Sequence, residues 1–131
     1  MAARRRIPSG SPFEPSIGFS RALRVGDRVL VSGTGPVVPG GRCPEGAGPQ
    51  TRRCFEIIQA ALEEAGASLD DVVRTRMFVT SADDVEAVGA VHGEVLGHVR
   101  PAATMVVVAG LADPAWKVEI EAEAVLPEAS T

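Results

Sequence analysis

Tyrosine is absent from this chain of 131 residues, tryptophan and lysine occur once each, and cysteine and histidine twice each. The aromatic scarcity leaves little to stack against bases, which argues against a single-strand-binding surface. Lys117 is the only lysine, so Schiff-base catalysis has one candidate. Cys43, Cys54, His92 and His98 are not close-spaced pairs, so no zinc motif and no metal site is expected. Both cysteines read as free thiols, and Cys54 reads as a small core residue. No apolar run approaches the ~20 residues of a membrane span. The basic start at Arg4, Arg5 and Arg6 has no apolar segment behind it, so no secretory signal is read. The expectation is a cytoplasmic protein with no membrane contact.

What is present is ample apolar material, 45% of the chain, and a formal charge of −4. That length and composition fit one domain that needs no disulfide or metal staple. The acidic balance argues against a nucleic-acid partner. Twelve of the 13 cations are arginines, and the Arg4–Arg6 run reads as a frayed arm.

Periodicity divides the chain. Residues 1–18, with Pro8, Pro12 and Pro15, read as an irregular arm, and as domain limits the arm is set at 1–15, the domain at 16–126 and a tail at 127–131. Ala22–Val25, a Gly26-Asp27 turn and Arg28–Ser32 read as a hairpin. A Gly/Pro loop follows, with a short edge strand conceivable at Val37-Val38. Phe55, Ile58, Leu62 and Ala65 form one stripe of a helix from about Gln50 to Ala65. A strand over 71–80 places Val73, Thr75, Met77 and Val79 on one face, with Val72, Arg74, Arg76 and Phe78 opposite. Ser81 caps a second helix, which carries Val85, Val88, Val91 and Val95 inward. Thr104–Ala109 is nearly all apolar, as a central strand covered on both faces would be. In the last strand, Val118, Ile120, Ala122 and Ala124 alternate with Glu119, Glu121 and Glu123. Three carboxylates on one face must be wet or must meet cations, and Arg74 and Arg76 are the candidates. The order is ββ-α-β-α-ββ in an α+β fold, with both helices on one face of a sheet. The other face then needs cover, and self-association is the simplest source.

Several segments together resemble the Rid family (reactive intermediate deaminases, also called the YjgF family). They are Ile17-Gly18-Phe19-Ser20, Val25-Gly26-Asp27, Val31-Ser32-Gly33, the run from Glu64 to Thr75, Arg100-Pro101-Ala102 and Val118–Ala122. The resemblance implies a chorismate-mutase-like fold and a homotrimer cored by a barrel of sheets. Ligand clefts would lie between subunits. Active members hydrolyse enamines and imines such as 2-aminoacrylate to keto acids and ammonia, without a cofactor. By the resemblance, Glu119 holds the attacking water as general base, and the Ser32-Gly33 backbone touches the ligand. Thr34 stands where many members have Gln, Phe19 where they have a ligand-facing Tyr, and Met105 where a small residue lines the cleft. Ala103 stands where the deaminases carry the Arg that grips the substrate carboxylate. A lost bidentate clamp removes a charge-assisted, orienting contact. Arg100 is the neighbouring cation that would have to substitute for it. Two readings follow: a cofactor-free enzyme acting on a small imine, enamine or carbonyl compound, or a small-molecule-binding or chaperone-like trimer without catalysis. The ribonuclease and translation-inhibitor roles attached to the family fit the acidic charge least.

Overall fold

The computed structural model describes residues 3–127; Met1 and Ala2 of the expected arm and residues 128–131 of the expected tail lie outside the described residues. Eight principal elements follow one another. They are β1 (Arg4–Ile7), β2 (Ala22–Val25), β3 (Arg28–Thr34), α1 (Ala47–Glu64), β4 (Val72–Val79), α2 (Val85–Leu96), β5 (Ala102–Val107) and β6 (Val118–Val125). They build a mixed α+β fold around one six-stranded sheet in the order β1-β2-β3-β6-β4-β5. Only β4 and β5 pair in parallel, across the crossover through α2.

The hairpin forms as its turn chemistry predicts, with Ala22 opposite Val31 and Val25 opposite Arg28, and Gly26 takes φ 61° in the turn. The arm is not irregular throughout. Residues 4–7 pair antiparallel with β2, and Ile7 is buried opposite Ala22. Three arginines carry no apolar period, so this pairing had no local signature. Glu14–Gly18 adds a π-helical turn. No strand forms at Val37-Val38, where Val38 and Arg42 close a turn instead.

Helix α1 starts at Ala47, before the expected Gln50, because Pro49 falls in its first turn, where no N–H is needed. Its inward side chains Phe55, Ile58 and Leu62 pack over Val29, Val31, Ile120 and Ala122, and α2 adds Val88, Val91 and Leu96. Each large aliphatic group so buried contributes about 1.5–3 kcal/mol. Val85 lies outside this core at 38% exposure, since the helix turns its first residue outward and uses Leu96 at its far end.

Three expectations about the sheet change. Val72 is buried and Val73 exposed, because β4 is bulged: Val72 pairs with Ala124 and Arg74 with Glu123, leaving Val73 as the extra residue. Thr75, Met77 and Val79 keep their inward places. Strand β6 is central, between β3 and β4, rather than outer. The apolar β5 is an edge strand, not a central one, with Val106 and Val107 at 42% and 53% exposure.

Candidate functional site

The acidic face of β6 is organised by cations in its neighbours. Arg76 of β4 meets Glu121 at 2.9 Å and Glu123 at 3.5 Å, and Arg28 of β3 approaches Glu123 at 3.6 Å. The Arg–Glu pairing expected from the alternation is therefore made within the sheet. These contacts hold the arginine's proton affinity above its ordinary value, chiefly through the Glu121 bond. Glu119 is outside this network and stands at the opposite end of the strand.

That end is shaped by a second bulge. Val31 pairs with Ala122 and Thr34 with Ile120, so Ser32 and Gly33 together face a single residue of β6. Gly33 lies under the Glu119 carboxylate: a Cβ there would stand 2.8 Å from Oε2 and 3.1 Å from Cδ. The glycine is thus required by the acid above it, not by its own backbone angle. Burial raises the Glu119 pKa above the ordinary carboxylate value, Glu121 adds to the rise, and Arg21 opposes it. A carboxylate held this way is a stronger proton acceptor than one in water.

Arg21 was not singled out from the sequence, and one arginine before a strand offers no local signal. Its Nη1 donates to the Gly33 carbonyl at 3.3 Å and to Thr34 Oγ1 at 2.9 Å. Burial lowers its pKa, and the charges of Glu119 and Glu14 work against that. The guanidinium ties down the bulge and supplies the local countercharge. Thr34 is fully buried, and its hydroxyl donates to the Ser32 carbonyl at 2.8 Å, so its side chain serves the turn's own structure. The Ser32 hydroxyl donates to the Ser20 carbonyl at 2.6 Å, which links the bulge to the segment bearing Phe19. Phe19 and Ser32 line one groove of about 370 Å³ that runs across β2 and β3. Two residues beyond Gly33, Gly35 lies against the Trp116 ring, whose nearest atoms would be 2.6 Å from a Cβ.

The remaining expected site residues lie elsewhere. Ala103 is exposed on β5 and registers with Thr75. Met105, half-buried beside it, points toward α2, where its Cε would stand 3.8 Å from a Cβ on Gly89. Arg100 has φ 57°, the single left-handed residue other than glycine among those described, and its N–H caps α2 through the Leu96 carbonyl at 2.8 Å. Three strand spacings, roughly 14 Å, separate β3 from β5. One protomer therefore assembles Phe19, Ser32, Gly33 and Glu119 at one place and leaves Arg100, Ala103 and Met105 at another.

Other reactive side chains are occupied by packing. Cys54 is fully buried, and burial pushes its thiol up to about 12. His92 Nε2 lies 2.8 Å from Thr75 Oγ1, with its ring edge-on to Phe55 at 5.8 Å, and burial lowers its pKa. Among the described residues no group of three or more His, Cys, Asp and Glu side chains is placed to hold a metal ion. No helix among them is long and apolar enough to cross a membrane.

Known proteins share this architecture. The family model described as Endoribonuclease L-PSP matches residues 10–126. An uncharacterized protein of Streptomyces coelicolor is 41% identical over 124 residues, which are 92% of this chain and 90% of that protein. A Mycobacterium tuberculosis crystal structure, described as a member of the YjgF/YER057c/UK114 family, superposes with a TM-score of 0.88 at 42% identity, covering 95% of this chain and 100% of that one. A Yersinia pestis structure, described as a protein of unknown function of the conserved Rid family, gives 0.83 at 27% identity, covering 95% and 100%.

Proposed function

The chain belongs to the YjgF/Rid family, the one described as Endoribonuclease L-PSP, and from that premise we propose that it hydrolyses a small imine or enamine in clefts between the subunits of a homotrimer. The observation that carries this reading is the Glu119 carboxylate over Gly33, partly buried and with a raised pKa. Glu119 takes a proton from water as the water oxygen bonds to the imine carbon. The C=N π electrons move to nitrogen, which is protonated. The resulting carbinolamine collapses, the C–N bond breaks, and a ketone and ammonia leave. An enamine enters the same path once protonated on carbon to its imine. General acid–base help of this kind is worth roughly 10²–10⁴-fold.

The separation of the two residue groups supports clefts between subunits, since the edge carrying Ala103 and Met105 can approach a Glu119 corner only from another copy. The exposed apolar face of β5 is the surface such packing would cover. Without an Arg at Ala103 the substrate differs from that of the 2-aminoacrylate deaminases. Two free thiols suit a reducing compartment, in keeping with a cytoplasmic enzyme that uses no cofactor.

The test is hydrolysis of enzymatically generated 2-aminoacrylate and related imines by the wild type, Glu119→Gln and Ala103→Arg. Activity in the wild type that is lost in Glu119→Gln at unchanged oligomeric mass supports the reading. Undiminished turnover in Glu119→Gln overturns the role of that residue. Ala103 and the hydroxyl-free Phe19 favour a second reading, a trimer that binds a small molecule without transforming it. Native mass spectrometry that finds a retained ligand on a protein inactive toward every imine would put that reading first.

A further inference from the structure

The strand at the start of the chain places its arginines unequally. Ile7 is buried opposite Ala22, so alternation puts Arg5 on the helix-covered side and Arg4 and Arg6 together on the other. Both line the groove of about 370 Å³ that holds Phe19 and Ser32, whereas Arg5 does not. Its floor includes Leu23 and Leu30, and no carboxylate is among its lining residues. Glu14 and Arg6 line the hollow next to it, but Glu14 Oε2 accepts from the Ser9 backbone N–H at 2.7 Å and from the Ser9 hydroxyl. No salt bridge within the described chain engages either Arg4 or Arg6. Two guanidiniums therefore face an apolar-floored groove whose other end is Ser32, the residue next to Gly33.

We propose that Arg4 and Arg6 hold a carboxylate carried by the substrate at a distance from its reacting carbon, with the intervening chain lying on Leu23 and Leu30. This rests on the proposed function for the identity of the reacting end. It moves acid recognition from the β5 edge, where Ala103 has no charge to offer, to the opposite edge of the sheet. Guanidinium pairs suit this role because they remain charged at any working pH and bind carboxylates through parallel N–H donors.

Titration calorimetry with 2-oxosuberate and 2-oxooctanoate tests this, since the two differ only in the terminal carboxylate. The wild type should bind 2-oxosuberate at least about tenfold tighter. The double variant Arg4→Gln/Arg6→Gln should lose that preference and leave 2-oxooctanoate binding unchanged. Arg5→Gln alters charge on the same strand and should retain the preference. Equal affinities in the wild type, no binding of either acid, a preference that survives the double variant, or an equal loss in Arg5→Gln would each overturn the proposal. The catalytic reading is separable: a preference present in a protein with no turnover leaves the acid site standing without the hydrolase. Turnover that depends on Glu119, with no acid preference, does the reverse.

Discussion

Strands β5 and β6 are both rich in apolar residues, yet they are covered in different ways. In β6 every second residue from Val118 to Ala124 is at most 3% exposed, sealed by its own chain. The carboxylates between them are paired or enclosed by β3 and β4. In β5 no residue is fully buried, although Met105, Val106 and Val107 are as apolar as any core. The contrast teaches that apolar content records how much water a strand must lose in its working state, not where it sits in the sheet. For β6 the protomer meets that requirement; for β5 the protomer leaves it unmet, as a trimer contact would explain.

The largest effect that would sharpen this contrast comes from Ile120→Ala in β6. Truncating this fully buried residue should lower unfolding stability by about 2–5 kcal/mol in urea titrations. Val106→Lys in β5 should change protomer stability by no more than about 0.5 kcal/mol, as exposed substitutions usually do, while abolishing assembly in sedimentation equilibrium. An unchanged mass for that variant would break the comparison, because β5 would then be free surface.

A smaller effect concerns the acidic side of β6. Arg76→Gln leaves Glu121 and Glu123 facing each other without their shared cation, so Tm should fall slightly at low salt and approach the wild-type value as salt rises. The smallest effect has the opposite sign. The folded-state pKa of Glu119 lies above its ordinary 4.5, so ionised Glu119 opposes folding once the pH exceeds both values. Glu119→Gln should therefore raise Tm modestly at pH 7–8, and the gain should vanish as the pH falls below 4.5. A destabilised variant at neutral pH would mean that the countercharge from Arg21 outweighs burial.

Legibility followed locality. The β2–β3 hairpin, the stripe of α1 and the alternation of β6 depend on residues within a few positions of one another, and the sequence carries them openly. Sheet order, the partner of β1 and the bulge at Val73 depend on distant segments, and no spacing in the chain encodes them. Within the site, Glu119 and Gly33 were legible through family resemblance, and the structure adds why the glycine is needed. The buried, structural use of the Thr34 hydroxyl and the tie from Arg21 to the bulge were not legible, since each exists only once β2 and β3 are paired. Arg100 in a left-handed conformation also escaped a reading in which proline alone set the turn.

The contact between Trp116 and Gly35 has an optical consequence. This is the chain's single indole, there is no tyrosine to mask it, and its ring rests on the turn that leads out of Gly33. Emission excited at the indole band therefore reports on one locality of each protomer. A ligand that tightens or displaces the turn will register there without an added dye, so affinities for unlabelled candidate substrates can be read by direct titration.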